Sequence, residues 1–389
     1  MKTHKMIYIS CLLAIAGGYM TTAVFAAPQP GVSVGVEAAR MQQAGGPVVF
    51  AYSDATAKPM PLPMSSAAPV AIAGNAAAPS FGPAGNSQGS VGSGVMSPVN
   101  LGGSSAFASA AAVTPQEFGT SNHPFTTSRV DLATTPANYI SSRYPYRAAG
   151  KLYFRIGAAS YVCSASLIKR GVIVTAAHCV TKFGGTLPRW YSSWQFVPAK
   201  YNALAPYGVW NASAPRVMTS YYNGTDACSQ AGVICRNDVA VLTIVPQNRV
   251  YPGTAVGWLG YGWNGYGFTP TNLALINQLG YPVSHDAGLM MQRTDSQGFV
   301  STMVSNTVWG SRQTGGSSGG PEVVNLGTGA VLSGGVLLGS EPQFNTVVGV
   351  TSWGYTNQAV KQQGASAFVS TNIVALVNAA CAATPAACI

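Results

Sequence analysis

An all-β fold is predicted for the larger part of this 389-residue chain, on three observations. Its apolar runs are short and rich in β-branched residues. Gly171-Val172-Ile173-Val174-Thr175, Val239-Ala240-Val241-Leu242-Thr243-Ile244 and Val347-Val348-Gly349-Val350-Thr351 are typical, each bounded by Gly, Pro or Asn. Glycine (45 residues) and proline (25) recur at a density that the interior of a helical bundle or coiled coil does not tolerate. Only 8% of residues are charged, yet past the N-terminus no apolar run reaches the ~18 residues that a membrane-spanning helix needs. Many short strands with such punctuation indicate a sandwich or barrel.

The elements follow in order. Lys2 and Lys5 precede an apolar stretch over 6–20, and Val24-Phe25-Ala26 offers small residues at a cleavage point, so 1–26 reads as an export signal cut after Ala26. The mature protein is then expected outside the cell, or in the periplasm in transit, with no membrane association once the signal is gone. Residues 27–135 are dominated by Ala, Gly, Pro and Ser, as in Ala76-Ala77-Ala78-Pro79 and Gly102-Gly103-Ser104-Ser105. Such a composition buries too little apolar surface to offset its ordering entropy, and it reads as a disordered propeptide or linker. All seven Trp lie at 190 or beyond, which places the folded domain at 136–389. One helix is expected at its end, over 372–380, with Thr371 as N-cap.

Seven cysteines become six once Cys11 leaves with the signal. An even number in an exported chain implies disulfides. Their spacing favours three local bridges, Cys163–Cys179, Cys228–Cys235 and Cys381–Cys388, among the many connectivities that six cysteines allow.

Titratable groups are scarce. After Arg129 the only histidines are His178 and His285, and the acids are Asp131, Asp226, Asp238, Asp286, Asp295, Glu322 and Glu341. There is no HExxH, no phosphate-binding glycine–lysine loop and no CxxC, so neither a metal nor another cofactor is expected. Three local sequences stand out. Thr175-Ala176-Ala177-His178-Cys179 puts a histidine at the end of an apolar strand. Asn237-Asp238 opens another. Gly315-Gly316-Ser317-Ser318-Gly319-Gly320-Pro321 sets serines in a turn free to adopt unusual backbone geometry. A serine hydroxyl is a weak nucleophile and needs a base within hydrogen-bond reach. That base needs a buried carboxylate to hold its tautomer. Flanking glycines let two N–H groups point at the place where an oxyanion develops. Singly, each sequence is as readily a strand-end histidine, an ordinary cap or a low-complexity run, as Gly102-Gly103-Ser104-Ser105 illustrates.

Together they resemble the chymotrypsin-like serine proteases, and bacterial secreted trypsin-like and glutamyl-endopeptidase-type members most of all. Thr175-Ala176-Ala177-His178-Cys179 matches the family's histidine motif, Asn237-Asp238-Val239-Ala240-Val241-Leu242 is similar to its aspartate motif, and Gly316-Ser317-Ser318-Gly319-Gly320-Pro321 to its nucleophile loop. Ser352-Trp353-Gly354 resembles its substrate-binding strand. The order His, Asp, Ser is also this family's. The resemblance runs from about residue 145 to the end. It implies two six-stranded antiparallel β-barrels with a C-terminal helix and a catalytic cleft between the barrels. It makes Ser318 the nucleophile, His178 the general base and acid, and Asp238 the orienting carboxylate. Gly316 and Ser318 would donate the oxyanion-hole N–H groups, and Ser352, Trp353 and Gly354 would pair with the backbone of a polypeptide substrate. Cys163–Cys179 would clamp the histidine loop.

Two departures matter. Relatives usually carry an aspartate just before the nucleophile, where this chain has Ser317, so the oxyanion hole must be held by other means. The Gly-Gly-Pro register assigns the reactive hydroxyl to Ser318 rather than Ser317. The pocket positions, counted back from Ser318, hold Arg312, Gln313 and Thr314 without an acid. That argues against selection of Lys or Arg and points to an acidic side chain at P1, although Thr351 stands where glutamyl enzymes usually carry histidine. Maturation after Arg129 or Arg143 is compatible with the sequence. His285-Asp286 reads as a surface pair, and residues 258–268 as a packed, glycine-kinked hairpin. The spread of basic residues carries no nucleic-acid motif. The expectation is a monomeric secreted serine endopeptidase made as a zymogen; its rival is a catalytically silent binding or adhesion module of the same fold.

Overall fold

The computed structural model describes residues 31–35, 48–69, 82–102, 117–118, 123–131, 138–185, 190–301, 304–327 and 343–389. The expected export signal lies outside the described residues.

Strands β1 (Ala149–Ile156), β2 (Ala159–Lys169) and β3 (Val172–Thr175) form a meander. Gly157, at φ +59°, supplies the left-handed residue that the tight β1–β2 turn requires. Next come β4 (Ser192–Pro198), β5 (Trp210–Met218) and β6 (Ala240–Ile244). Pairing runs β5-β4-β1-β2-β3-β6, and β6 also pairs with β5, so six strands close into an antiparallel barrel. Its interior is apolar, with Leu152, Phe154, Leu167, Val174, Phe196 and Val241 buried together.

The second barrel comprises β7 (Ala274–Gly280), β8 (Gln292–Ser301), β9 (Asn306–Gly310), β10 (Pro321–Val324), β11 (Thr346–Val350 with its continuation Trp353–Tyr355) and β12 (Gln362–Ser366). The ladder runs β12-β9-β8-β7-β10-β11, and the continuation of β11 pairs back onto β12. The molecule is therefore all-β with two barrels, as the resemblance implies. Ile276, Trp309, Val324 and Val348 fill part of the second interior. Much of the remainder is polar, with Gln278, Glu322, Gln363 and Thr351 buried.

The helix at the end, Ala375–Ala383, buries Leu376, Val377 and Ala380 in the core of the first barrel. It is entered through a π-type turn, Ser370–Val374. The Asn372 side chain, not Thr371, accepts the free Val369 N–H at 2.9 Å. The aromatic run differs from a hairpin. Gly260–Trp263 pairs in parallel with β11 and antiparallel with Gly85–Ser87.

The described parts of residues 27–135 pair with the barrels. Val32–Val34 adds to β5, Lys58–Pro59 to β2, Met64–Ser65 to the continuation of β11, and Phe125–Arg129 to β8. The composition argument holds in that these pieces build no core of their own. They borrow one, burying Val32, Tyr52, Leu62 and Phe125 against the barrels and pairing with strand edges that the barrels leave open.

Candidate active site

His178, Asp238 and Ser318 all follow or precede barrel strands. His178 sits in a single 3-10 turn, Ala177–Cys179, just after β3. Cys179 in that turn is bonded to Cys163 on β2, and the Trp194 indole N–H donates to the Cys179 carbonyl at 3.3 Å. Asp238 lies two residues ahead of β6, and its N–H donates to Ser366 Oγ at 2.8 Å. Ser366 Oγ in turn donates to the Cys235 carbonyl at 2.8 Å. The other two bridges, Cys228–Cys235 and Cys381–Cys388, close further local loops.

Asp238 holds His178 at two points. Its Oδ1 accepts the His178 backbone N–H at 2.8 Å, and its Oδ2 lies 2.7 Å from Nδ1. The Ser352 hydroxyl donates to the same Oδ2. Burial pushes the Asp238 carboxyl up, but the neighbouring His178 imidazole and the Ser352 hydrogen bond outweigh it. The net result lies below the ordinary carboxylate value, so Asp238 is an anion. A carboxylate on Nδ1 leaves Nε2 as the ring nitrogen directed away from Asp238. That Nε2 and Ser318 Oγ are both buried and without a hydrogen-bond partner. The resemblance assigns these two atoms to the base and the nucleophile, and catalytic hydrogen bonds commonly tighten only once substrate is bound.

The loop carrying Ser318 joins β9 to β10 and is held without an aspartate. Ser164 on β2 clamps it from the first barrel: its N–H donates to the Ser318 carbonyl at 2.7 Å and its Oγ to the Gly316 carbonyl at 2.8 Å. Ser317 turns inward, donating from Oγ to the Thr314 carbonyl at 2.8 Å. Two glycines are obligatory. Gly316 has φ +93° and Gly319 +76°, and a Cβ at Gly319 would lie 1.9 Å from Thr175 Oγ1.

The remaining predicted residues divide. Ser352 is in the site, but through its side chain on Asp238 as well as its place on the strand. Trp353 is buried and donates from its indole to Asn306 Oδ1 at 2.8 Å. The Gly354 N–H is bonded to the Pro63 carbonyl at 3.0 Å. Arg312 is exposed. Gln313 is buried, donating to Thr294 Oγ1 at 3.0 Å, and Gln363 donates to the Gln313 carbonyl. Thr314 Oγ1 accepts the Ser284 N–H at 3.1 Å. Behind them Gln278 donates to Thr351 Oγ1 at 2.8 Å and to Gln363 Oε1 at 2.7 Å. His285 Nδ1 lies 2.8 Å from Ser284 Oγ, while Asp286 pairs with Arg129.

Sequence reasoning missed Ser164, Ser366, the side-chain contact of Ser352 and the N-terminal residues bonded to Gly316 and Gly354. A buried serine in a strand carries no local signal. The alternation Pro59-Met60-Pro61-Leu62-Pro63, by contrast, does mark an extended stretch within the low-complexity segment.

Two groupings of metal-ligating side chains occur among the described residues, Cys163 with His178 and Cys179, and Asp226 with Cys228 and Cys235. In each the cysteines are joined in a disulfide and have no thiolate to offer. No helix of the described residues is long and apolar enough to cross a membrane.

No protein-family model and no curated protein matches the sequence. Among solved structures the chain is similar to the protease Anisep from Arthrobacter nicotinovorans, at 21% identity and TM-score 0.46 over 62% of this chain and 95% of that one. It is also similar to the thermostable serine protease AL20 from an extremophilic microorganism, at 21% and 0.44 over 58% and 93%. A Glu endopeptidase in complex with MPD matches at 21% and 0.44, over 64% of this chain and 98% of that chain.

Proposed function

We propose that the protein is an exported serine endopeptidase. The observation that carries this reading is the two-point grip of Asp238 on His178, which leaves Nε2 directed away from the carboxylate while Ser318 Oγ stands buried and unpartnered. In the proposed reaction Ser318 Oγ attacks the scissile carbonyl carbon as its proton passes to His178 Nε2. The oxyanion is met by the N–H groups of Gly316 and Ser318. His178 then returns the proton to the leaving amine, and water repeats the sequence on the acyl-enzyme. A silent binding module has no need of an imidazole held at two points by a buried anion, and no observation favours it.

For the substrate side chain, Gln278, Gln313, Gln363 and Thr351 form an uncharged, mutually bonded group behind the nucleophile loop. A preference for an acidic P1 residue therefore rests on Arg312 alone. Mapping cleavage of a mixed peptide library by mass spectrometry tests both levels. Cuts made by wild type and lost in Ser318→Ala, in His178→Ala and equally in the double variant are the expected outcome, since the two residues act as a unit. Additive losses would overturn the triad. Acidic P1 residues that become disfavoured in Arg312→Ala support the acidic reading, and an unchanged cut profile removes it.

A further inference from the structure

We infer that residues 49–65 are a built-in inhibitor of this cleft: Asp54, seated between two buried lysines of the first barrel, tethers a proline-interrupted strap whose Met60 carbonyl occupies an oxyanion donor. The inference rests on the proposed protease reading.

The tether is a carboxylate site in its own right. Asp54 Oδ1 lies 2.7 Å from Lys151 Nζ and accepts from Tyr153 OH at 2.7 Å, and Oδ2 lies 2.7 Å from Lys200 Nζ. Lys200 is fully buried and Lys151 nearly so. Two ammonium groups desolvated side by side need an anion between them, and the chain supplies it from the N-terminal segment. Upstream, the Gln195 side chain ties down the backbone of Val49 and Ala51 at 2.9 Å each.

From this anchor the strap crosses both halves of the cleft. Lys58–Pro59 pairs in parallel with β2, and the Met60 N–H donates to the Val162 carbonyl at 2.8 Å. The Met60 carbonyl then accepts the Gly316 N–H at 3.1 Å. Leu62 is buried, the Pro63 carbonyl takes the Gly354 N–H at 3.0 Å, and the Ser65 carbonyl takes the Thr356 N–H at 2.9 Å. Gly316 and Gly354 are the donors that a substrate needs for its reacting carbonyl and its extended backbone.

The strap is built to stay uncut. The bond that follows the carbonyl at Gly316 is Met60–Pro61, a tertiary amide whose nitrogen carries the proline ring and no hydrogen. Prolines at 59, 61 and 63 also fix φ, so the segment loses little entropy when it lies down. With the cleft open only part of the time, substrate affinity falls in proportion to the open fraction.

The test compares the full chain with Leu62→Asp and Asp54→Asn, by the rate at which a fluorophosphonate labels Ser318 and by amide exchange at Gly316 and Gly354. Asp54→Asn leaves two buried lysines without their anion and risks the fold; Leu62→Asp does not touch them. Both variants are expected to label about tenfold faster or more and to lose protection at both amides. A synthetic peptide of residues 58–65, added to Leu62→Asp, is expected to slow labelling again. Wild type that labels as fast as Leu62→Asp, or unprotected Gly316 and Gly354 amides in wild type, overturns the inference. So does a cut between Met60 and Pro61, which makes the strap a substrate. Amides released in the variants with Ser318 unreactive in every form would uphold the strap as the cover of the cleft and overturn the protease reading instead.

Discussion

At the scale of single residues, the site depends on groups that do not touch a substrate. Ser352 gives its hydroxyl proton to the carboxylate oxygen that also holds His178 Nδ1. Ser352→Ala removes that donor from a fully buried anion, and an unsatisfied buried charged acceptor costs about 1–3 kcal/mol. The expected outcome is a fall in kcat of roughly tenfold to a hundredfold with KM little changed, because the loss falls on His178 rather than on the bound peptide. A KM effect alone would assign Ser352 to substrate binding only. Gly319 is constrained more severely, by its left-handed backbone and by Thr175 Oγ1 lying where a Cβ would go. The obstacle includes the Ser164 carbonyl and the Ala176 N as well, so a rotamer change gives no relief. Gly319→Ala is expected to lower the midpoint of thermal unfolding by many degrees, at a cost of about 3 kcal/mol or more, and to abolish activity. A soluble variant with wild-type unfolding would show that the loop is not held as described.

At the scale of elements, two ties decide how the cleft is assembled. The Cys163–Cys179 bridge joins β2 to the histidine turn across 16 residues, a loop whose closure is worth about 3 kcal/mol in the chain-entropy account. Replacing both cysteines by alanine is expected to cost about that much in denaturant unfolding, and to reduce activity further by freeing the His178 turn. The Asp54 tether has a distinct signature in pH. Burial pushes its carboxyl up, but Lys151 and Lys200 outweigh this and hold it at about 2 rather than its ordinary 3.8. The groups facing it are Lys151, Lys200 and the Tyr153 hydroxyl. A lowered carboxyl stabilises fully above the unfolded value. The contribution, about 2 kcal/mol, is thus present above pH 3.8 and lost as pH falls through about 2. Thermal unfolding followed across that window is expected to show the loss in wild type and a flatter profile in Asp54→Asn. Equal profiles would remove Asp54 as the cause.

At the scale of the whole molecule, the two barrels and the segment ahead of them behave as one packed unit among the described residues. The first barrel supplies His178, Asp238 and the clamp Ser164; the second supplies Ser318 and the strand carrying Ser352 and Gly354. The N-terminal stretches then lie over both. Much of this was legible in the sequence. The β-branched runs at 171–175, 239–244 and 347–351 lie in β3, β6 and β11, because alternation and turn punctuation are local properties of the chain. The local settings of His178 after a strand, Asp238 before one and Ser318 in a glycine-rich turn were legible too, since each is set by its neighbours in sequence. Other features escaped. Composition marked residues 27–135 as unable to fold alone, and the described pieces of that segment build no core of their own. What composition does not register is a surface elsewhere in the chain ready to receive it. The order seen at Asp54 and at 58–65 comes from buried lysines and open strand edges roughly a hundred or more residues away in sequence. The sequence by itself thus determined the β class, the local setting of the candidate site residues and the cysteine spacing, all set by patterns within a few residues. Only the tertiary structure decided that Ser352 and Ser366 hold Asp238, that Ser164 bonds the loop carrying Ser318, and that the N-terminal segment takes the Gly316 and Gly354 N–H groups. Those contacts join residues distant along the chain, and hydrogen bonds and ion pairs of that kind exist only once the barrels have closed.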